Sequence, residues 1–79
     1  MLQDLQFERY ELYTSPRLSS VKRLVGTFKS LKTAQRIGNV NQIAAPGNLI
    51  QIDYIGLYGN GRDEQFWVKS LEDGRWIKL

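Results

Sequence analysis

The sequence predicts an α+β fold, namely an antiparallel sheet of four or five strands with one short helix on one face, in the order ββαβββ. Three observations lead to this prediction. Several short segments alternate apolar and polar residues, which is typical of half-buried strands. A helical period follows one good capping residue, Ser30. The 79 residues are enough for one small domain, residues 1–79, which can bury only a small hydrophobic core.

The first two strands are predicted on either side of a proline. Residues 7–14 (FERYELYT) alternate and are rich in aromatic side chains. Pro16 ends this strand because proline has no N–H to donate to a ladder. Residues 21–29 (VKRLVGTFK) form the second predicted strand, with Leu24 and Phe28 on one face. The short connection between them is compatible with a hairpin.

The helix is predicted to begin after Ser30, whose hydroxyl can cap the first turn. Apolar residues then follow at helical spacing, at Leu31, Ala34 and Ile37. Gly38 followed by Asn39 resembles a C-cap, which leaves about two turns. A longer helix that reaches Ile43 is the alternative. Because an isolated helix this short is unstable in water, the sheet must hold it in place.

Three strands are predicted after the helix. Residues 49–57 form the most apolar one, with Ile50, Ile52 and Tyr54 on one face, and residues 65–70 form the next. Asp73 and Gly74 predict a two-residue hairpin of type I′, in which both central residues need positive φ. The last strand then covers residues 75–79.

One short helix covers only one face of such a sheet, so the second face needs another explanation. Bulky neighbours such as Phe66 and Trp67, or Trp76 and Ile77, point to opposite faces. Either the sheet closes into a small barrel, or its second face meets a partner or a second copy of the chain. Ordinary cross-strand packing is the alternative role for these aromatics. The candidate partner or dimer residues are Tyr10, Tyr13, Trp67 and Trp76.

Charge is distributed unevenly along the chain, whose formal net charge is +3. Residues 12–52 contain no Asp or Glu but six cations, Arg17, Lys22, Arg23, Lys29, Lys32 and Arg36. All eight acids and the other five bases lie outside this segment. If several of the six cations share a surface, that surface attracts an anionic partner. An ordinary solvated polar surface is the alternative.

The start of the helix is the sharpest part of this signal. Lys29, Ser30 and Lys32 place two cations where free N–H groups already give the helix a partial positive charge. A phosphate would fit there, whereas without an anion the cations simply point into water. The candidate residues for binding nucleic acid or a partner are therefore Lys22, Arg23, Lys29, Ser30, Lys32 and Arg36.

The composition argues against catalysis. The chain has no Cys and no His, which removes disulfides, thiolate ligands, the commonest metal ligand and the usual general base. The paired acids at 63–64 and 72–73 lie in predicted turns, where acids are common. We therefore expect no enzyme, no metal, no cofactor and no small-molecule substrate. Without a signal-peptide pattern or an apolar membrane span, we expect a cytoplasmic protein.

Three segments carry a family resemblance, SLKTAQRIG (30–38), GNLIQI (47–52) and EDGRW (72–76). They resemble small phage-encoded β-sheet proteins, including one group of type I-F anti-CRISPR inhibitors. The resemblance covers residues 30–76 loosely, and departs at Gly38 and in a longer loop at 56–66. It implies one helix against an antiparallel sheet, and binding to the backbone subunits of the CRISPR surveillance complex, partly through basic residues. It also implies non-specific attraction of duplex DNA and a phage or mobile-element origin.

These observations together predict a non-enzymatic binding protein whose basic surface engages nucleic acid or a nucleoprotein complex. The alternative is a homo-oligomeric or protein-binding module that uses an exposed aromatic sheet face. A homodimer is the expected oligomer in that case, and no membrane partner is expected.

Overall fold

The computed structural model describes residues 5–16, 21–59 and 61–79. It contains one helix and five strands, which confirms the predicted α+β class. In chain order the elements are β1 (Leu5–Ser15), β2 (Arg23–Phe28), α1 (Leu31–Ala44), β3 (Leu49–Tyr58), β4 (Gly61–Lys69) and β5 (Trp76–Lys78). The predicted hairpin connection between the first two strands lies outside the described residues.

The five strands form one antiparallel sheet in the order β2-β1-β3-β4-β5. The long strands β1 and β3 pair over most of their length at its centre. Strands β2 and β5 are the two edges, so the described strands form an open sheet and not a barrel. The edge strand β2 directly precedes the helix in the sequence, and the other edge strand, β5, is the last strand of the chain.

The helix packs on the sheet face that carries the buried apolar residues of β1 and β3. Cross-strand partners share a face, and Leu12 lies opposite Ile52, which in turn lies opposite Trp67. Leu12, Ile50 and Ile52 of this face are at most 1 % exposed and form the core with Ala34 of the helix. The predicted common face of Ile50, Ile52 and Tyr54 is confirmed. We call this side of the sheet the helix face.

The helix begins where the sequence predicts but ends later. The Ser30 hydroxyl accepts a hydrogen bond from the Thr33 backbone N–H at 3.2 Å, which confirms the N-cap. The prediction that Gly38 ends the helix is wrong, and the alternative of a longer helix that reaches Ile43 is confirmed, because α1 continues to Ala44. The cap is Ala45, directly before Pro46, and proline cannot continue the helical ladder.

Gly38 lies inside the helix because of what packs against it. A Cβ at this position would come within 2.9 Å of the Trp76 indole and 3.2 Å of the Ile50 side chain. The missing side chain thus lets the helix approach both the sheet and a ring from the last strand. The Trp76 indole N–H also donates to the Asn39 side chain at 3.2 Å, which fastens this ring to the helix.

Strand β2 contains a bulge that changes its facing pattern. Phe28 lies opposite Tyr10 on the helix face, whereas Leu24 lies opposite Tyr13 on the other face. The register shifts between Leu12 and Tyr13, which leaves one extra residue in β2. The prediction that Leu24 and Phe28 share a face is therefore wrong, because a bulge interrupts strict alternation.

The connection before β5 is longer than the predicted two-residue turn. The Gly74 N–H donates to the Ser70 carbonyl at 3.0 Å, and the Ser70 N–H donates to the Arg75 carbonyl at 2.8 Å. Only Gly74 among the described residues has positive φ, so the type I′ prediction is wrong. The Asp73 carboxylate instead accepts from the Arg75 N–H at 3.1 Å, as in a local Asx interaction.

Tyr54 continues the packed helix face along β3 beyond Ile52. Its ring lies 4.8 Å from the ring of Tyr10 and covers Gly56, where a Cβ would come within 2.6 Å of the tyrosine oxygen. The Tyr54 hydroxyl donates to the Glu8 carboxylate at 2.9 Å. Burial, this hydrogen bond and the negative charge of Glu8 all raise the pKa of Tyr54 above its usual value near 10.

We expect this shift to make the protein less stable in alkali. Below about pH 10 the Tyr54 phenol is protonated in both the folded and the unfolded chain, so its contribution is constant. Above that pH the unfolded chain ionises first, so the free energy of unfolding falls as the pH rises toward the folded pKa. Urea unfolding at about pH 8 and about pH 11 should show this loss. Tyr54→Phe should reduce it, and an unchanged pH slope in that variant would contradict the assignment.

Candidate functional site

Six of the ten described cations contact an acid or an aromatic ring, namely all five outside the acid-free segment and Lys22 within it. Four ion pairs are formed, Arg9–Glu11 at 3.0 Å, Lys22–Asp53 at 3.7 Å, Arg62–Glu64 at 2.6 Å and Arg75–Asp73 at 3.8 Å. Two further lysines lie over indole rings, Lys69 over Trp76 at 5.3 Å and Lys78 over Trp67 at 5.8 Å. The four ion pairs balance their charges within the chain, whereas the two lysines keep a net charge but contact an aromatic ring.

The remaining described cations are Arg23, Lys29, Lys32 and Arg36, which we call the basic face. All four are exposed, and none forms an ion pair with a described acid. Arg17, another cation of the acid-free segment, lies outside the described residues. These four cations lack acids nearby in the sequence, and the fold does not bring a described acid into an ion pair with any of them.

The basic face lies on the helix side of the sheet. Arg23 is opposite Thr14, which is opposite Ile50 of the core, so these three share the helix face. Because Gly38 packs against Ile50, the helix runs back along β2 toward the Arg23 end. The other three cations lie at the start of α1 or on its first two turns, which follow the Phe28 end of β2, whereas Arg23 lies at the other end of that strand. The four therefore share the helix side of the sheet, and Lys32 and Arg36 line one pocket.

A surface pocket of about 380 Å³ lies at the start of the helix. It is lined by Ser30, Lys32, Thr33 and Arg36. Lys32 and Arg36 are one helical turn apart, so their side chains share the outer face of α1. The first turn contains no acid, and cations there cost a few tenths of a kcal/mol unless an anion is present. The local electrostatics therefore favour a negatively charged ligand.

Lys22 does not join the basic face, although the sequence grouped it there. Its ammonium lies 3.7 Å from Asp53 and 4.6 Å over the Tyr13 ring. Both partners belong to the sheet face opposite the helix. Asp53 is the first acid after the acid-free segment, and only the pairing of β1 with β3 brings it near Lys22. The sequence alone carries no local signal for this contact.

The four aromatics predicted to form one exposed face are divided between the two faces. Tyr10, Trp67 and Trp76 pack against the core on the helix face, and the Tyr10 and Trp67 rings are 6.1 Å apart. Only Tyr13 lies on the opposite face. The expectation of a shared aromatic surface is therefore wrong for three of the four, which serve cross-strand and helix packing instead.

The face opposite the helix, which we call the open face, carries a polar network that the sequence did not reveal. Glu11 and Asp53 lie directly opposite each other on β1 and β3. Arg9 forms an ion pair with Glu11, and Tyr13 donates to the same carboxylate at 3.1 Å. Gln51 donates to Asp53 at 2.6 Å. Neighbouring cations and donors thus offset the repulsion of the two carboxylates.

Comparison with protein-family models, with curated proteins and with solved structures finds no match for this chain. The resemblance to type I-F anti-CRISPR inhibitors therefore stays a prediction. In the described part of the chain no helix has the length and apolar character needed to cross a membrane. No three acidic side chains of the described residues gather in a way that could hold a metal ion.

Proposed function

We propose that the protein binds the phosphate backbone of nucleic acid, free or in a nucleoprotein complex, through the basic face. The observation that carries this proposal is a contrast among the ten described cations. Four form ion pairs and two lie over indole rings, whereas Arg23, Lys29, Lys32 and Arg36 do neither. Exposed cations that share one side of a protein and lack ion pairs are the electrostatic footprint of a phosphate-binding surface. The proposed activity is binding alone.

The arrangement favours contacts with phosphates over readout of bases. Tyr10, Trp67 and Trp76 are partly buried against the core, and lysines lie over the two indole rings, so little of their ring surface is left for stacking on bases. The exposed outer face of the helix offers lysine and arginine, which contact phosphates whatever the sequence. We therefore propose binding with little sequence preference and strong salt dependence. Four phosphate contacts correspond to a log–log salt slope of about −3.6 on duplex DNA.

A narrower form of the proposal comes from the family resemblance alone. Three short segments resemble type I-F anti-CRISPR inhibitors, which suggests a phage-encoded protein that blocks a CRISPR surveillance complex. In this form the basic face would engage a nucleoprotein assembly. Adding the purified protein to such a complex should then reduce its binding of target DNA, and unchanged binding would leave only the broader proposal.

We expect the variant Lys29→Gln, Lys32→Gln, Arg36→Gln to lose most of its affinity for a short labelled duplex of mixed sequence. Three of four phosphate contacts disappear, so the salt slope should fall from about −3.6 to about −0.9. Fluorescence anisotropy titrations at several salt concentrations measure both quantities. The same titrations with single-stranded DNA and with RNA show whether backbone contacts dominate.

The matched control is Arg62→Gln, Arg75→Gln, Lys78→Gln. It changes the net charge by the same amount but removes only cations that already have partners in the chain. If net charge alone drove the attraction, both triple variants would lose affinity equally. Equal losses, or full affinity of the first variant at low salt, would refute binding through the basic face.

A further inference from the structure

The described chain buries little apolar surface for its size. Only five hydrophobic side chains are buried, Leu12, Ala34, Ile50, Ile52 and Tyr54, and all lie in α1 or on the helix face of the sheet. A domain of this length is marginally stable when its core is small. The described helix covers one face of a five-stranded sheet and leaves the other without a layer. A second layer from elsewhere would supply the missing burial.

The open face exposes apolar side chains along its full width. One row crosses all five strands in register, through Leu24, Tyr13, Gln51, Val68 and Ile77. The two ends of this row, Leu24 and Ile77, are 51 % and 48 % exposed. Phe7 and Leu57 form an exposed pair at the opposite end of the face. Gln51 lies at the centre of the row, and the polar network around Glu11 and Asp53 separates the row from this pair. The exposed apolar side chains are thus concentrated at the two edges of the row and at the far end of the face, a distribution of apolar and polar patches found at interaction surfaces.

The charges of the open face fit a second copy of the chain better than a charged partner. Its three ion pairs, Arg9–Glu11, Lys22–Asp53 and Arg62–Glu64, balance to zero. A two-fold axis through this face would therefore set neutral, self-complementary surfaces against each other. Nucleic acid needs an excess of cations, which the helix side has and this face does not.

Both edges of the sheet are poor sites for joining two chains strand to strand. Strand β2 carries a bulge opposite Leu12 and Tyr13, and bulges twist an edge away from pairing. Strand β5 has only three residues, Trp76–Lys78. Short and bulged edges are common devices against edge-to-edge association. The broad face, and not an edge, is the surface left for contact between copies.

We propose that two copies of this chain associate through their open faces into a sheet-on-sheet sandwich, with the two helices outermost. Facing sheets pack about 10 Å apart with interdigitating side chains. The three long strands have nine to eleven residues, so the face measures roughly 20 Å by 30 Å. With side-chain relief, this area is of the order of the ~800 Å² that each partner buries in a stable interface.

Sedimentation velocity on wild type and Ile77→Glu tests the proposal. From about 1 µM to about 100 µM the wild type should shift toward twice its monomer mass of 9.1 kDa, while Ile77→Glu should stay monomeric. Leu24→Glu, on the opposite edge strand, should behave in the same way, so that local damage to β5 cannot explain the result. Circular dichroism confirms that each variant is folded.

Ile43→Glu is the matched control, because this isoleucine is 80 % exposed on the helix and lies away from the open face. It should dimerise as the wild type does. A wild type that is monomeric throughout the range overturns the proposal. So does a dimer that survives both Ile77→Glu and Leu24→Glu, or one that Ile43→Glu dissociates. Ile77 and Ile43 are not members of the basic face, and Ile77→Glu and Ile43→Glu add the same single negative charge. DNA titrations on these two variants therefore test the proposed function separately from dimerisation.

Discussion

Replacing Ile52 by alanine should remove a large part of the folding stability. The side chain is completely buried at the centre of β3, between Leu12 on one neighbouring strand and Trp67 on the other. Truncating a buried isoleucine costs about 2–5 kcal/mol because it loses transfer free energy and leaves a cavity. A chain of 79 residues has a total stability of roughly 4–12 kcal/mol. Urea denaturation followed by circular dichroism should therefore show a midpoint far below that of the wild type.

The control for this prediction is Ile43→Ala, which makes the same chemical change at a surface position. Ile43 is 80 % exposed, so its truncation should change the free energy of unfolding by about 0.5 kcal/mol or less. Similar losses for the two variants would show that Ile52 is not in the core. Such a result would also invalidate the assignment of the helix face.

Gly38→Ala should destabilise the protein even though alanine is the better helix former. In an exposed helix interior this change stabilises by about 1 kcal/mol. Here the new Cβ would lie 2.9 Å from Trp76 and 3.2 Å from Ile50, so the helix or the ring must move. Overpacking of this kind costs about 1–3 kcal/mol. We expect the clash to dominate, with a net loss visible in urea denaturation and a shift in Trp fluorescence.

The reason for this loss can be tested by removing the ring. In a Trp76→Ala background the main obstacle is absent, so adding Gly38→Ala should cost less than in the wild type and can stabilise the protein. Gly47→Ala is the second control, because a Cβ there meets nothing within 4 Å. A cost of Gly38→Ala that is the same with and without Trp76 would refute the packing explanation.

The elements that the sequence predicted well are those governed by local patterns. The alternation of apolar and polar residues predicted the ends of β1 and β3 to within two residues. This is possible because the residues of a half-buried strand point alternately to the core and to solvent. The Ser30 cap was equally local, since it depends on one hydroxyl and an N–H three residues later. The common face of Ile50 and Ile52 followed from the same alternation.

The features that were missed depend on residues far apart in the chain. Gly38 resembles a helix end until Trp76, thirty-eight positions later, is seen to occupy the space beside it. The bulge that turns Leu24 to the open face is a property of the β1–β2 pair and not of β2 alone. Each of these errors arose where tertiary packing overrides a local preference.

The candidate site could be predicted only in part, because some of its features are local in the sequence and others depend on strand pairing. The absence of acids from residues 12–52 is a property of the sequence, and four cations from that segment remain unpaired in the structure. The loss of Lys22 from the group required the register that brings Asp53 to it. The open face was expected in principle, but its members were assigned wrongly because Trp67 and Trp76 turn toward the helix.

The placement of the basic face on the helix side and the apolar row on the other gives the chain two surfaces that point in opposite directions. A sandwich of two such chains turns its cationic sides outward and away from each other. One stiff duplex cannot touch both sides at once, so the pair would tether two separate stretches of nucleic acid. If the chain dimerises and binds phosphates as proposed, the pair would cross-link nucleic acid, and it would bind one strand more tightly wherever a second strand is close enough to be bound.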